Sequence, residues 1–246
     1  MRQLNGKRPL LKHGGAGNRA TVTSDYLTPR QARDLTAAAQ YALANGKPLT
    51  RHLTVRLERQ GISDADAVKA IGRLITLLRD HVRKTTDGEI AYIWSREHGA
   101  IIGGHVHILL HLPAGYIWQG RRVQRWIERI SGRPYKKGAI KTTRIGGTAK
   151  AHEQNPGLYL ANLATVVGYV IKGICPKAGA ALELERIKAQ GRVMGKRCGR
   201  SANIKRALVA HYQFSDALRG MISDSHKAPP SLWPENQLFE DYLDSF

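Results

Sequence analysis

The chain has 246 residues, and 42% of them are hydrophobic, which is enough to bury a core and excludes wholesale disorder. Lys and Arg number 39 against 19 Asp and Glu, so the net charge is +20 and a polyanionic partner is expected, nucleic acid above all. Ribosomal-type structural proteins and membrane-surface proteins are the alternatives. The two cysteines, Cys175 and Cys198, are too few for a disulfide framework or a zinc ribbon and predict a reducing compartment.

The N-terminal residues 1–25 are basic and glycine-rich. We predict a flexible basic arm there, without a secretory signal, because no hydrophobic stretch accompanies the charges. The most apolar segment, 157–171, is shorter than the roughly 20 residues that cross a bilayer, and Asn162 interrupts it. A core helix is therefore predicted at this segment, and the protein is expected to be cytoplasmic, with no membrane partner.

From residue 26 the predicted elements follow a regular order. Thr28 and Pro29 predict the start of a helix that runs to about Ala44. The next elements are a strand at 51–58, an amphipathic helix from Ser63, strands at 90–97 and 103–111, a helix at 119–131 and a strand at 139–145. This order predicts an α+β fold, namely an antiparallel sheet of the split βαββαβ (ferredoxin- or RRM-like) type with helices on one face.

Beyond the predicted sheet, an apolar helix is expected to carry Tyr169, and the domain at 26–178 ends shortly after it. Residues 179–228 are predicted to form a basic helical extension, with a loop between helices where three glycines interrupt it. Its last helix is expected at 207–222. Residues 229–246 form a tail that contains proline and then becomes acidic.

Two histidines, His105 and His107, flank one apolar residue in the predicted strand at 103–111. Because side chains alternate between the faces of a strand, both imidazoles project from one face, which suits them to chelating a cation. His111 shares this face but lies roughly 13 Å along the strand from His107, so we expect a bystander or a DNA contact. The alternative is that the pair are ordinary polar residues on the wet face of a sheet.

Glu97 ends the preceding predicted strand. If the two strands form a hairpin, Glu97 can lie opposite His105 near the closed end. Two imidazoles and one carboxylate then form a three-ligand set with open positions, which accepts Mg²⁺ or Mn²⁺ and polarises a phosphoryl oxygen. The alternative is a surface glutamate paired with Arg96 or His98.

Tyr169 and Lys172 share one face of the predicted apolar helix, because they are three residues apart. A phenol, with a pKa of about 10, can act as a nucleophile when a nearby cation or metal activates it, and Lys172 could clamp a phosphate. The alternative is a core tyrosine and a lysine that reaches solvent at the helix end. Tyr159, ten residues earlier, lies well round the helix from Tyr169, which leaves Tyr169 as the predicted single nucleophile and Tyr159 as a possible second one.

These residues together resemble the motifs of the HUH endonuclease superfamily, which includes rolling-circle replication initiators, conjugative relaxases and single-tyrosine transposases. His105-Val106-His107 resembles the motif that names the superfamily, and Tyr169-x-x-Lys172, followed by Gly173, resembles the third motif of the replication initiators. Glu97 stands where those proteins often have a third metal ligand. The strand Leu53-Thr54-Val55 resembles their first motif.

The resemblance covers residues 50–175 and implies the split βαββαβ fold of that superfamily. It implies that a metal ion held by His105, His107 and Glu97 polarises one phosphodiester of single-stranded DNA. Tyr169 then attacks this phosphodiester, which gives a 5′-phosphotyrosine link and a free 3′-OH, and a later transfer rejoins the strand. The resemblance therefore implies the initiation of rolling-circle replication of a phage- or plasmid-like element, with host helicase and polymerase as partners.

Basic residues are concentrated in two segments, and the imbalance favours binding to DNA phosphates over a merely solvated face. The candidate DNA contacts are Arg121, Arg122, Arg125, Arg129, Lys136, Lys137, Arg144, Lys196, Arg197 and Arg200. Trp118, Trp126 and Tyr135 are interleaved with them and could stack on unpaired bases where they are exposed.

Three further functions remain open at this point. The first is a non-catalytic, RRM-like module that binds single-stranded nucleic acid, which would explain the charge and the order of the elements. The second is a single-tyrosine transposase with the same chemistry. The third is a metallohydrolase in which Tyr169 is structural.

Overall fold

The computed structural model describes residues 21–181, 188 and 191–204. Its helices are α1 (Pro29–Ala44), α2 (Asp64–Thr85), α3 (Gly120–Ser131), α4 (Ala151–Gln154), α5 (Pro156–Ile171) and α6 (Pro176–Ala181). Its strands are β1 (Thr23–Ser24), β2 (Arg51–Arg56), β3 (Ala91–Gly99), β4 (Gly103–His111), β5 (Ile140–Arg144), β6 (Val193–Met194) and β7 (Cys198–Arg200).

Five strands form one antiparallel sheet in the order β5-β2-β4-β3-β7. The first four are the strands of the predicted βαββαβ unit, and α2 and α3 connect them where helices were expected, so the predicted α+β fold is confirmed. Alternation along the strands divides the sheet into two faces. Leu53 and Ile108 point to one face, and His105 and His107 point to the other.

Helices α2 and α3 cover the first face, as predicted for the split unit. Ile71 and Leu74 of α2 and Val123 and Ile127 of α3 are buried in one hydrophobic core with the strands. Ser63 caps α2 by accepting the amide of Asp66, as its position before the apolar stripe predicted.

Helices α1 and α5 cover the second face, so helices lie on both faces of the sheet and not on one only. Ile93 of β3 and Leu109 of β4 point to this face and pack with Leu35 of α1 and Val167 of α5 in a second hydrophobic core. This part of the second face is apolar, so it must be buried by helices. The alternating pattern of the strands predicts one face that is open to solvent and does not reveal the second helical layer.

The described part of the C-terminal extension is not the loop between helices that was predicted, because it contributes strands to the domain. β6 pairs with β1, and β7 pairs with β3 at the edge of the sheet. The glycines that suggested a break in a helix have structural roles at a turn and at a close contact instead. Gly195 adopts φ 80° between the two strands, and Gly199 lies so close to Trp94 that a Cβ atom there would stand 2.8 Å from the indole ring.

A buried arginine ties this segment to the rest of the domain. Arg96, only 1% exposed, donates to the backbone carbonyls of Met194 at 2.8 Å and Asp64 at 3.1 Å, and it forms an ion pair with the Asp64 carboxylate. The start of α2, the middle of β3 and β6 are therefore joined by one side chain.

The sheet thus extends beyond the predicted end of the domain at 178, and residues 21–25 of the predicted arm include β1. The predictions for 1–20, for the helix at 207–222 and for the acidic tail at 229–246 lie outside the described residues. Among the helices that the structure describes, none has both the length and the hydropathy to cross a membrane.

We predict that Asp64→Ala lowers the free energy of unfolding by about 3 kcal/mol, because it leaves the buried Arg96 guanidinium without its carboxylate. Asp66→Ala, at the other acidic position in the first turn of α2, is the matched control and is expected to cost less than about 1 kcal/mol. Urea unfolding of both variants measures the difference, and equal losses would contradict the role assigned to Arg96.

Candidate functional site

The β3–β4 hairpin brings the predicted ligands together. In its register Glu97 lies directly opposite His105, and Ser95 lies opposite His107, so the carboxylate and both imidazoles share one face of the sheet. The hairpin geometry on which the predicted ligand set depended is therefore present. Gly103, with φ 71°, allows the turn to close tightly against Glu58.

The three side chains form a compact buried cluster. The Glu97 Oε2 atom is 3.2 Å from Nε2 of His105 and 3.5 Å from Nε2 of His107. Glu97 is 1% exposed, His105 4% and His107 2%, which excludes both the wet-face histidines and the surface glutamate that the sequence left open. Their ligand atoms lie close enough together for the cluster to hold a metal ion.

The hydrogen bonds of the two imidazoles leave their Nε2 atoms suited to ligation. A carbonyl oxygen can only accept, so the 2.9 Å contact between His105 Nδ1 and the Gly103 carbonyl requires a proton on Nδ1. The lone pair of a neutral His105 then lies on Nε2 and faces the Glu97 carboxylate. Within the described residues, Glu97 Oε1 and His107 Nε2 have no hydrogen-bond partner, while Glu97 Oε2 has the Lys172 ammonium 3.1 Å away. Buried acceptors that face one another are what a shared cation would satisfy.

The protonation states of the cluster also fit a metal ligand set. Burial opposes ionisation of Glu97, but His107, His105 and Lys172 together hold the pKa of its carboxyl well below the usual value. Burial lowers the pKa of His107 to about 4, in spite of the neighbouring carboxylate. At neutral pH the site therefore presents an ionised carboxylate and a neutral imidazole, the forms that bind metals.

Helix α5 places Tyr169 and Lys172 against the cluster. The Lys172 ammonium lies 3.1 Å from Oε2 of Glu97 and 3.2 Å from the centroid of the Tyr169 ring. The Tyr169 ring in turn meets the His107 ring edge-on, with centroids 5.0 Å apart. Lys172 is buried, so it is not a lysine that extends to solvent from the helix end.

Two residues of the site, His52 and Thr54 on β2, were not predicted. His107 Nδ1 is 3.1 Å from both Thr54 Oγ1 and His52 Nε2. Burial, followed by the positive charge of neighbouring groups, holds the pKa of His52 well below 6.5, so its ring is neutral and its Nε2 atom can accept a hydrogen bond from His107 Nδ1. These contacts favour a proton on His107 Nδ1 and leave Nε2 for the cluster. The alternation of His52 and Thr54 along β2 is the signal that could have revealed them.

Two sequence candidates have structural roles outside the cluster. Tyr159, considered as a second nucleophile, is buried, and its hydroxyl donates to the Leu49 carbonyl at 3.0 Å, while burial raises the pKa of its phenol. His111 contacts the Pro48 carbonyl through Nδ1 at 3.0 Å, so it is a bystander to the cluster. Tyr169 is the tyrosine that meets the predicted ligands.

Most of the predicted DNA contacts are on the surface, but one is not. Those with exposed side chains are Arg121, Arg125, Arg129, Lys136, Lys137, Arg144 and Lys196; Arg122 and Arg200 are half-buried. Arg197 is only 2% exposed, and its guanidinium donates to Ser24 Oγ at 3.0 Å and to the Ser24 and Gly191 carbonyls, which corrects its prediction as a phosphate contact. Its partner Ser24 lies 173 positions away in sequence, so its burial was not evident from its basic neighbours.

The predicted stacking residues Trp118, Trp126 and Tyr135 are half-buried and pack against the core between the sheet and α2. Two other basic residues lie closer to the cluster. Arg56 stands opposite His105, and Lys141 stands opposite Thr54, both on the face that carries the cluster.

A cavity of about 290 Å³ lies between the end of the β3–β4 hairpin and the start of α2, and Glu97 and His105 are among its lining residues. The carboxylates of Glu58 and Asp64 also line it, together with Arg96, which pairs with Asp64.

Comparisons of the chain with protein-family models, with curated proteins and with solved structures found no match. The function proposed below therefore rests on the geometry of the site and on the resemblance of its motifs.

We predict that the double variant His52→Ala/Thr54→Val lowers the affinity of the protein for Mn²⁺ by about 10- to 100-fold, because His107 loses both partners of Nδ1. Calorimetric titration of the DNA-free protein measures this affinity. His111→Ala, on β4 but outside the cluster, is the control and should leave this affinity unchanged. Equal affinities of the double variant and the wild type would contradict the positioning role.

We also predict that the metal-free protein loses stability as the pH falls from about 6.5 to about 4. In the unfolded chain an imidazole takes up its proton near pH 6.5, whereas His107 keeps a pKa of about 4 in the fold, so acid favours the unfolded state over this interval. Glu97 adds a further loss below pH 4.5, because the fold holds its carboxyl ionised there.

Urea unfolding at a series of pH values tests this dependence. The His107→Gln variant should show a shallower decline between about pH 6.5 and pH 4 than the wild type, and Tyr169→Phe should retain the wild-type slope. An unchanged slope in His107→Gln would show that other groups govern the acid sensitivity.

Proposed function

We propose that the protein is a metal-dependent, site-specific DNA strand transferase of the HUH type, which nicks and rejoins single-stranded DNA through Tyr169. One observation carries the proposal: a tyrosine and a lysine from α5 contact a buried cluster of one carboxylate and two imidazoles on the sheet. Each motif is short, but the fold brings the separate motifs to one place. A structural tyrosine would not require the ligand set beside it.

Glu97, His105 and His107 are the residues that would hold a divalent ion, Mg²⁺ or Mn²⁺. When bound, such an ion supplies a Lewis acid for a phosphoryl oxygen. The three ligands are buried, and the strand pairing keeps them in fixed positions.

Tyr169 supplies the nucleophile. Its phenol oxygen forms a bond with the phosphorus of one phosphodiester while the bond between that phosphorus and the 3′-oxygen breaks, and the phenol proton ends on the departing 3′-OH. The Lys172 ammonium, 3.2 Å from the centroid of the Tyr169 ring, can neutralise charge on the phosphate. Attack by a 3′-OH on the 5′-phosphotyrosine reverses the step and rejoins the strand.

We expect the DNA strand to approach the cluster from the side of β2 and β5. Arg56 and Lys141 stand on that side, whereas Glu58 and Asp64 line the cavity at the end of the hairpin. The phosphates of a single strand would follow the cations and avoid the carboxylates.

Initiation of rolling-circle replication of a phage- or plasmid-like element belongs to the same proposal, as do a cytoplasmic location and host helicase and polymerase as partners. The free 3′-OH left by the cleavage is a primer, which suits this role. A single-tyrosine transposase would use the same chemistry.

The non-catalytic alternative, an RRM-like module, is less favoured by the fold. Such a module binds bases on an open sheet face through exposed aromatic rings. Here α1 and α5 cover the face opposite α2 and α3, and it carries the ligand cluster.

We predict a covalent protein–DNA adduct when the protein is incubated with origin-like single-stranded oligonucleotides and Mn²⁺, detected as a band that survives denaturation. Tyr169→Phe should abolish the adduct, because it removes the attacking oxygen, while Tyr159→Phe, the matched control on the same helix, should retain it. Glu97→Gln should reduce the adduct strongly through the loss of a ligand.

Adduct formation by Tyr169→Phe at the wild-type level would refute the proposed nucleophile. Cleavage that depends on metal but leaves no adduct in the wild type would favour the metallohydrolase with a structural tyrosine.

A further inference from the structure

Helix α3 carries a row of arginines that faces solvent. Arg121, Arg125 and Arg129, here called the arginine stripe, follow one another at intervals of four residues, and all three are exposed. Within the described part of the chain none of them forms an ion pair. The single acid of α3, Glu128, instead accepts the backbone amide of Tyr135 at 2.9 Å.

This charge pattern opposes the stability of the helix that carries it. Like charges four residues apart repel one another, and Arg121 stands in the first turn, where the helix dipole disfavours cations. The N-cap residue, Gln119, makes no side-chain capping bond. Helix α2 has the opposite pattern, with Asp64 and Asp66 in its first turn. Residues that destabilise the helix to which they belong are expected where the surface that they form serves a function.

The stripe lies on the far side of the sheet from Tyr169. Val123 and Ile127 bind α3 to the face that carries Leu53 and Ile108, whereas the ligand cluster and α5 are on the other face. The stripe therefore cannot contact the phosphate that Tyr169 would attack, and it needs a different segment of nucleic acid as its ligand.

The chemistry of the stripe fits the phosphate backbone of a duplex. Successive arginines are about 6 Å apart along the axis of a rigid helix, so the three cations form a row of about 12 Å that turns by about 80° round the helix. The one aromatic ring of α3, Trp126, packs against the core and against the His81 ring, so the stripe has no free ring beside it on which an unpaired base could stack. Insertion into a membrane is excluded for this helix because its apolar face is buried in the core.

We propose that the arginine stripe is a second nucleic-acid-binding surface, which holds a double-stranded DNA segment by its phosphates while the single strand is processed on the opposite face. The inference rests on the proposed function for its choice of DNA, but it requires neither the metal nor the tyrosine. It assigns the two faces of the sheet to two different forms of the substrate.

The test uses the triple variant Arg121→Gln/Arg125→Gln/Arg129→Gln of the full chain. Its matched control is Lys69→Gln/Arg73→Gln/Lys84→Gln, which removes the same charge from exposed positions of α2 on the same side of the sheet. The probes are a short fluorescent DNA duplex and one of its strands alone, with EDTA present, and anisotropy gives the affinity at several salt concentrations.

For the duplex, we expect the stripe variant to lose about three units from the slope of log affinity against log salt, since each phosphate contact contributes about 0.9. The control should keep most of the wild-type slope, and the affinity of the stripe variant for the single strand should change much less. The midpoint temperature of the stripe variant should rise, because the repulsion in α3 is removed.

Equal losses of duplex affinity in the stripe and control variants would overturn the inference, since general charge would then explain binding. An equal loss for duplex and single strand would also overturn it, as would a wild-type protein that does not bind the duplex. If the wild type forms the adduct but binds no duplex, the inference fails and the proposed function stands. If the wild type binds the duplex through the stripe but forms no adduct, the inference stands and the proposed function fails.

Discussion

The buried carboxylate of Glu97 is the group on which the arrangement of the site depends. An ionised carboxylate inside a protein costs several kcal/mol unless positive charge and hydrogen bonds compensate it. Lys172 supplies the charge, and the two histidines place their Nε2 atoms at the same oxygen. A structural ion pair would need the lysine alone. The two additional nitrogens, oriented by Gly103 and by β2, complete with Glu97 a set of ligand atoms that could hold a metal ion.

The cluster is rigid because its parts come from elements that are fixed on several sides. β3, which carries Glu97, is an interior strand, with β4 on one side and β7 on the other. The end of α5 is held by backbone bonds, since the Leu27 amide donates to the Gly173 carbonyl at 2.8 Å and the Cys175 amide donates to the Leu27 carbonyl at 3.2 Å. Lys172 therefore meets Glu97 through the docking of a helix end and not through a flexible loop. Such support from regular elements is what holds reactive groups at a constant geometry.

The parts of this site that could be predicted are those that local periodicity determines. Alternation along a strand and pairing in a hairpin decide that Glu97, His105 and His107 share a face, whatever the rest of the chain does. Helical spacing decides that Tyr169 and Lys172 point the same way, but not what they meet. Alternation likewise puts His52 and Thr54 on one face of β2, but their contact with His107 depends on the order of the strands, which brings β2 beside β4.

Long-range contacts account for what the sequence did not reveal. Gly195 and Gly199 were interpreted as breaks because glycine weakens helices, whereas their use here depends on a turn and on the proximity of Trp94. Arg197 stands among basic residues and was predicted to be on the surface, yet its partner Ser24 is 173 positions away. No local pattern distinguishes a buried arginine from an exposed one, because its burial depends on acceptors that another segment provides.

The difference between buried and exposed cationic side chains also explains how a chain with a net charge of +20 remains folded. A buried cation must have acceptors, and Arg96 and Lys172 have carboxylates while Arg197 has carbonyl oxygens. Losing such partners costs several kcal/mol, so these positions are determined by the fold. An exposed arginine on α3 costs only a few tenths of a kcal/mol in repulsion and can remain without an acid. Unpaired charge can therefore accumulate on the solvent face of α3 while the interior stays compensated, and that separation leaves the surface cations available to an external polyanion.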